Sequence, residues 1–380
     1  MENVCKMDKL LLSIPTLLGT ESIVANEIRS LGYETEKVVD GNVTFYGDFE
    51  AICKTNVNLR AAERVLIKMA EFRATDFEML FQGVKKIEWE RFIGKDDEFP
   101  VVRGHSIKSV LRSIPNCQKI IKKAVVTRLS DKYGIKWFKE TGEYYPIQFS
   151  IMKDIVSVYI DTSGNNLYKR GYRENAVLAP MRETLASAMI DISFWRGDRP
   201  FCDPFCGSGT IPVEAAMYAA NIAPGLKRNF VAMQWKNHIN TSLWENVKEE
   251  ALSKIDKNKD IQIFASDISG EAIEIAKKNA ENAGVLDLIR FEVCDVKNIV
   301  PFDEKGVIVT NPPYGERLMT DKECKELYKA MGKKFNEFSQ AKKFIITSNE
   351  NFENYYGFKA DKKRKVYNGM LKCNIYQYFK

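Results

Sequence analysis

The sequence predicts an α/β protein: a mixed α/β front half in two units, followed by a mostly parallel sheet wrapped by helices. The prediction rests on the strand–helix–strand opening, on apolar strands alternating with helical runs beyond Arg173, and on acids placed where those strands end. At 380 residues the chain calls for two or three domains. Its 45% hydrophobic and 28% charged composition is that of an ordinary globular protein.

The opening elements follow from local pattern. Lys9 to Ile14 reads as a strand, and Gly19 to Leu31 carries helical spacing that Gly32 ends. Val43 to Tyr46 follows the Asp40-Gly41-Asn42 turn as a short strand. Val57 to Leu66 is expected to be helical, and Val65 to Phe72 to return to strand. The apolar run Leu10 to Leu18 is broken at Pro15 and lacks a cleavage-site pattern, so it reads as a buried strand and turn rather than a leader. No stretch approaches the ~20 apolar residues of a membrane span.

The second unit runs from Asp76 to about Asp161. Phe77 to Ile87 reads as helix, Phe99 to Arg103 as strand, Ser113 to Tyr133 as a basic helix, and Ile147 to Ile151 and Ile155 to Asp161 as strands joined by the Lys153-Asp154 turn. The formal net charge of +6 is not evenly spread. Arg103, Lys108, Arg112, Lys119, Lys122, Lys123, Arg128, Lys132, Lys136 and Lys139 stand against Asp131 alone. That concentration suits a phosphate-binding face, with a solvated helix surface as the plainer reading. Trp89, Trp137, Phe138, Tyr144 and Tyr145 either stack on bases or pack in the core.

Thr162 to Arg173 reads as a connector. Beyond it the strand candidates are Phe201 to Asp203, Ile261 to Ala265, Ile289 to Val293, Val307 to Thr310 and Phe344 to Thr347, with Tyr367 to Phe379 as one arm of an antiparallel edge hairpin. The eight cysteines show no C-x-x-C spacing and the chain has two histidines, so no metal site is expected and the thiols read as those of a reduced, cytoplasmic protein. His105 and His238 read as packing or surface residues.

Two motifs carry chemistry. Asp203-Pro204-Phe205-Cys206-Gly207-Ser208-Gly209-Thr210 lies between a strand and the helical run Ile211 to Ala220, and its glycines let backbone approach a ligand. The next strands run into Asp267 and Asp295, and an acid after the second strand suits a ribose diol. A dinucleotide fingerprint expects that acid ~20 residues past the glycines. The intervening Asn221 to Asp260 therefore argues against a nicotinamide dinucleotide and an oxidoreductase. The second motif, Asn311-Pro312-Pro313-Tyr314-Gly315-Glu316-Arg317, ends a core strand. The prolines stiffen the backbone. The Asn311 side chain and Pro312 carbonyl can then accept both hydrogens of an aromatic amine whose ring stacks on Tyr314.

Together DPFCGSGT, the Asp267 and Asp295 strand ends and NPPYGER resemble the class I methyltransferases that act on amino groups. IPTLLGTESIVANEIRSLGYE, LRAAERVLIKMAEF, the basic segment and LYKRGYRENAVLAPMRETLA resemble the front half and junction of THUMP-domain RNA methyltransferases, closest to the large-subunit rRNA guanine-N2 enzymes of RlmL type without a fused second methyltransferase domain. The resemblance implies a ferredoxin-like domain over 1–65, a THUMP domain over 66–161 and a Rossmann-like methyltransferase domain with a seven-stranded, mostly parallel sheet over 162–380, junction 162–180 included.

It implies S-adenosylmethionine as cofactor, held along Asp203, Pro204, Phe205, Cys206, Gly207, Gly209, Thr210, Asp267, Ile268, Asp295, Val296 and Asn311. Asn311, Pro312, Pro313 and Tyr314 would serve the base. Arg103, Lys108, Arg112, Lys119, Lys122, Lys123 and Arg128 would meet RNA, with the target base flipped out. Arg182 and Glu183 either close over the cofactor, touch RNA, or form ion pairs; Glu214 either caps the cofactor loop or lies on a helix surface. Glu316 and Arg317 either pair, order the loop or meet the base. The expected reaction is methylation of guanine N2, in 23S rRNA before transfer RNA. Adenine N6 and a non-catalytic RNA-binding assembly factor remain as alternatives, and oligomeric state is open.

Overall fold

The computed structural model describes residues 9–173, 181–257, 260–302, 305–314, 320–369 and 371–379. In chain order the front half contains β1 (Leu10–Pro15), α1 (Glu21–Ser30), β2 (Thr35–Val39), β3 (Asn42–Gly47), α2 (Phe49–Asn58), β4 (Leu66–Arg73), α3 (Phe77–Lys85), β5 (Val101–Ile107), α4 (Ile114–Tyr133), β6 (Ile147–Met152) and β7 (Ile155–Asp161). These seven strands form one continuous sheet in the order β2-β3-β1-β4-β7-β6-β5. β4 joins its two parts, pairing with β1 at Leu66 and Ile67 and with β7 along its whole length.

Local chemistry sets the helix boundaries. Asp48 and Asp76 accept from the backbone N–H of Ala51 and Met79 and so cap α2 and α3. Gly134, at φ 69°, ends α4 in the left-handed conformation that a glycine adopts without strain.

The sequence reading of this half needs two corrections. Val57 to Leu66 is not a helix: α2 stops at Asn58, Leu59 turns extended at ψ 126°, and the chain crosses to β4. The apolar spacing there serves several neighbours instead of one helix face. Leu59, Ala61, Ala62 and Val65 are buried, while the Arg60 guanidinium donates to the Ile222 carbonyl in the back half. β2 also went unread, because four of its five residues are exposed and it carries no alternation.

The back half contains α5 (Glu183–Ile192), β8 (Phe201–Asp203), α6 (Thr210–Ala219), α7 (Thr241–Ser253), β9 (Ile263–Asp267), α8 (Gly270–Ala283), β10 (Ile289–Val293), β11 (Val307–Thr310), α9 (Asp321–Asn336), β12 (Lys342–Thr347), α10 (Phe352–Tyr356), β13 (Lys362–Asn368) and β14 (Leu371–Tyr378). Its sheet runs β10-β9-β8-β11-β12-β14-β13. The first five strands in that order are parallel, β14 alone runs against them, and β13, antiparallel to β14, runs with them again, the Rossmann-like class I methyltransferase arrangement. Strand order reverses at β8, whose neighbours are β9 and β11, so the carboxyl ends of those strands frame the ligand crevice of a doubly wound sheet.

The connector 162–173 is anchored in the interior at several points and is not a loose linker. Thr162, Ser163, Leu167, Arg170 and Tyr172 are all interior. Arg170 pairs with Glu214 on α6, and Glu214 also accepts from Ser187 at 2.5 Å and Tyr172 at 3.1 Å. Glu214 is 1% exposed, so it neither caps the glycine loop nor lies on a helix surface. α6 is apolar all round, the mark of a core helix.

Arg182 and Glu183 resolve as ion pairs. Arg182 bridges to Glu63 in the front half at 2.8 Å, and Glu183 to Arg173 at 3.4 Å. The stretch Asn221 to Asp260 that separates the glycines from Asp267 is a docking insert. Within it Trp235 stacks on Tyr145 with ring centroids 4.8 Å apart and donates to the Tyr144 carbonyl, and His238 stacks on Phe49. Gly225 lies against the α2 backbone, where an added Cβ would sit 2.6 Å from the Asn56 carbonyl. Among the described residues no helix is long and apolar enough to cross a membrane.

Candidate active site at the strand ends

The glycine loop is wired to its neighbours by backbone. Cys206 N–H donates to the Ser266 carbonyl at 2.9 Å and Asn279 donates to the Ser208 carbonyl. Gly207 N–H donates to the Asp267 carboxylate at 3.0 Å. Gly207 and Gly209 hold φ of 52° and 82°, and a Cβ at Gly209 would meet Ala276 on α8 at 2.9 Å. Only glycine allows this loop to lie so close to α8. Thr210, the first residue of α6, accepts from Arg173 at 2.6 Å.

Acids close each strand. Asp203 is 1% exposed; its Oδ1 accepts from the Thr310 hydroxyl at 2.7 Å and from Phe205 N–H at 3.2 Å, while its Oδ2 is buried without a partner. Burial pushes this carboxyl up to about 7, against the Thr310 and Phe205 hydrogen bonds and with Asp267 adding to the rise. Asp267 is half-buried and also accepts from Ser269 N–H. Asp295 caps the turn at Val296, accepting from Lys297 N–H at 2.9 Å. Val296 is buried, and Ile268 stands 71% exposed beside Asp267.

Asn311 follows Thr310 directly, so it lies beside Asp203 across the β8–β11 pair. Among the described residues its Oδ1 is the other buried acceptor at this crevice without a partner. Tyr328 donates to the Pro313 carbonyl at 3.1 Å and shares a hydrogen bond with Thr347, which fixes the proline turn. The Tyr314 hydroxyl accepts from Asn368 on β13 at 3.2 Å, and the Cys373 thiol lies 3.8 Å away. Burial holds the Tyr314 phenol well above its ordinary range, so it stays neutral. Gly315, Glu316 and Arg317 lie outside the described residues.

The structure thus brings the residues of both motifs to one edge of the sheet. Sequence reasoning missed Arg173, Asn279, Thr310, Tyr328, Asn368 and Cys373, which come from six different segments and carry no local signal beyond Thr310's place before Asn311.

The basic segment divides. Lys122 is half-buried over the Phe99 ring, 3.6 Å from its centroid, and pairs with Glu140 at 2.7 Å; burial lowers its ammonium from the ordinary range. Arg128 pairs with Glu90 through both Nε and Nη2. Arg103, Lys108, Arg112, Lys119 and Lys123 are exposed. Trp89, Phe138 and Tyr145 are core residues, whereas Trp137 is 82% exposed.

The fold and this crevice define a class I methyltransferase carrying a ferredoxin-like and THUMP front half. Residues 170–377 match the family described as RMKL-like, methyltransferase domain, residues 12–66 the RlmL ferredoxin-like domain and residues 74–161 the THUMP domain. The chain is 46% identical to YpsC of Bacillus subtilis, provisionally named an RNA methyltransferase, over 98% of this chain and 97% of that one. It is 35% identical to the ribosomal RNA large subunit methyltransferase K/L of Psychromonas ingrahamii over 96% of this chain, and spans about half (49%) of that longer protein. It superposes with a TM-score of 0.92 at 40% identity, covering 98% of both chains, on SMU.472, a provisionally named methyltransferase solved with S-adenosylhomocysteine.

The chain belongs to the RMKL-like family of THUMP-domain RNA methyltransferases, and its cofactor is S-adenosylmethionine. The residues present fit that cofactor: a strand-end turn of two positive-φ glycines, a half-buried acid on the second strand, and a buried carboxylate oxygen at Asp203 without a partner among the described residues.

Proposed function

We propose that the chain transfers a methyl group to the exocyclic N2 of a guanosine, in 23S rRNA. The observation that carries this reading is the buried, unpartnered Asn311 Oδ1 at the end of β11, set one residue from the Thr310–Asp203 hydrogen bond. An acceptor with no hydrogen to receive is costly to bury, so the site is built for a donor that arrives with the substrate. An aromatic amine supplies it. The flanking prolines and the Tyr328 hydrogen bond hold the turn still, and Tyr314, anchored by Asn368, offers its face to the ring.

The bound cofactor supplies an electrophilic methyl group. Asn311 is an amide and takes no proton; it orients the amine nitrogen so that its lone pair points at that methyl. Transfer would break the methyl–sulfur bond and leave the neutral thioether, and the methylated nitrogen, cationic at first, would lose its proton to solvent water. Asp267 would hold the ribose diol and Asp203 the ammonium group of the methionine end, with Phe205, Gly207, Gly209, Ile268 and Asp295 lining the remainder. The choice of guanine in ribosomal RNA is supported by the name of the K/L relative and by the THUMP domain.

Incubation with labelled S-adenosylmethionine and unmodified ribosomal and transfer RNA, followed by nucleoside analysis, tests the reading. N2-methylguanosine in large-subunit RNA is expected. N6-methyladenosine would move the substrate to adenine, and methylated transfer RNA alone would displace the ribosomal target. Absence of incorporation with RNA still bound would return the non-catalytic assembly factor.

The pH dependence of cofactor binding follows from Asp203. In the free protein this carboxyl titrates near 7, against an ordinary value of 3.8, because ionisation is penalised by burial. The folded chain therefore takes up a proton that the unfolded chain releases, and Asp203's contribution to stability falls as pH rises through that window. A cationic ligand end favours the carboxylate. S-adenosylhomocysteine should accordingly bind more tightly as pH rises through about 7 and level off above it. Calorimetric titration of Asp203→Asn should give a weaker and flatter profile; a profile as steep as that of the parent would remove Asp203 from the site.

A further inference from the structure

A cavity of about 360 Å³ with a mixed polar and apolar lining lies at the seam between the two halves of the molecule, apart from the strand-end crevice. Its front-half wall is the start of the parallel strands β5 and β6 and the end of β7, contributing Arg103, Tyr144 and Asp161. The connector contributes Asn165, and the docking insert contributes Asn229 and Gln234. The walls are fixed to each other: Ala232 N–H donates to the Thr162 carbonyl at 3.0 Å, and Trp235 Nε1 to the Tyr144 carbonyl at 2.8 Å.

The floor is electrically spent. Asp161 is 2% exposed and pairs with Arg64, and it also accepts from Gln148 at 2.7 Å and from the backbone N–H groups of Ser163 and Gly164. Its charge is balanced from below. Arg103, by contrast, is exposed at the rim with no acid other than Asp161 among the lining residues. The cavity therefore presents one net positive charge, the half-buried Tyr144 beside the buried Phe230, and the exposed amide residues Asn165, Asn229 and Gln234.

We propose that this seam cavity binds one unpaired nucleotide of the RNA substrate, outside the catalytic crevice; the proposal rests on the RNA reading above. Arg103 meets the phosphodiester, the Tyr144 ring stacks on the base, and Asn165, Asn229 and Gln234 meet the base edge. Amides carry both donors and acceptors and suit the mixed pattern of a base edge. An unstacked base against an aromatic ring, with a cation at its phosphate, is the usual chemistry of single-stranded recognition. The size agrees: about 300 Å³ is the lower end of ligand pockets, enough for one nucleotide and too small for a duplex groove. An acidic peptide would need more than one cation. Because the walls come from both halves, a nucleotide seated here registers the front half's RNA against the catalytic half.

The test uses the full chain and unmodified large-subunit RNA transcripts, with binding followed by anisotropy across a salt series and S-adenosylhomocysteine binding measured in parallel. Arg103→Gln should weaken RNA binding about tenfold and lower the salt slope by about one. Asn165→Ala combined with Gln234→Ala should weaken it about tenfold with the slope unchanged. Transcripts carrying 4-thiouridine should crosslink to the peptide containing Tyr144. Cofactor affinity should be unaltered in every variant. Variants that bind transcript as the parent does, with no Tyr144 crosslink, would overturn the cavity and leave the RNA reading standing. A parent chain that binds cofactor but no RNA would remove both. Parallel loss of cofactor binding in the variants would assign these residues to the fold.

Discussion

Asn311→Ala is expected to lower turnover by about 10²–10³-fold while S-adenosylhomocysteine binds almost as before. The expectation rests on a division of labour between neighbouring strand ends. Asn311 Oδ1 has no partner within the described protein, so its removal costs the folded chain nothing that is visible in the contacts. In the reading proposed above, what it removes is an acceptor for the incoming amine. Asp267 is the contrasting case. Its two oxygens hold Gly207 N–H and Ser269 N–H, so Asp267→Ala both deletes the acceptor for the ribose and loosens the glycine loop. Loss of such charged hydrogen bonds should weaken the cofactor by about 10–100-fold. Calorimetry on both variants beside single-turnover rates at saturating cofactor separates the effects. Equal loss of cofactor affinity in the two would undo the assignment, and full turnover by Asn311→Ala would remove the residue from the reaction.

The largest loss of stability is expected at Glu214. Arg170 and Glu214 are both interior, and the pair is locked by Ser187, Tyr172 and the Arg60 carbonyl. Glu214→Ala leaves a guanidinium charge buried with no carboxylate, a change that costs about 3–5 kcal/mol. Arg170→Met combined with Glu214→Leu takes out both charges and should recover most of that loss, because the desolvation of each ion disappears with it. Thermal denaturation of the single and double variants reads this directly. A single variant melting with the parent would show that the pair contributes nothing, and a double variant worse than the single would locate the cost in packing.

Much of this was legible in the chain because strand ends and ligand chemistry coincide. Asp203, Asp267, Asp295 and Asn311 each follow a short apolar run, and in a parallel sheet those positions meet at one edge. Buried partners were illegible. Glu214 sits in the largely apolar run Ile211 to Ala220, and a lone acid there reveals neither its burial nor its counterion. The basic segment overstated its free charge for a similar reason. Lys122 is matched by Glu140, one residue beyond the stretch, and Arg128 by Glu90, well before it. Val57 to Leu66 has helical spacing, but its apolar residues and its arginines answer to different partners, and tertiary contacts override the local period.

All of β4 beyond its first residue, Leu66, falls between the two front-half family matches, which end at residue 66 and resume at residue 74, and yet it hydrogen-bonds to both sides. A strand shared in this way leaves no neutral breakpoint for recombination. A graft of either front domain that omits Leu66–Arg73 would bare an open edge ready to pair with another chain. Chimeras that trade the front half between relatives should therefore be cut in the chain beyond Asp161, with both front domains inherited as one piece.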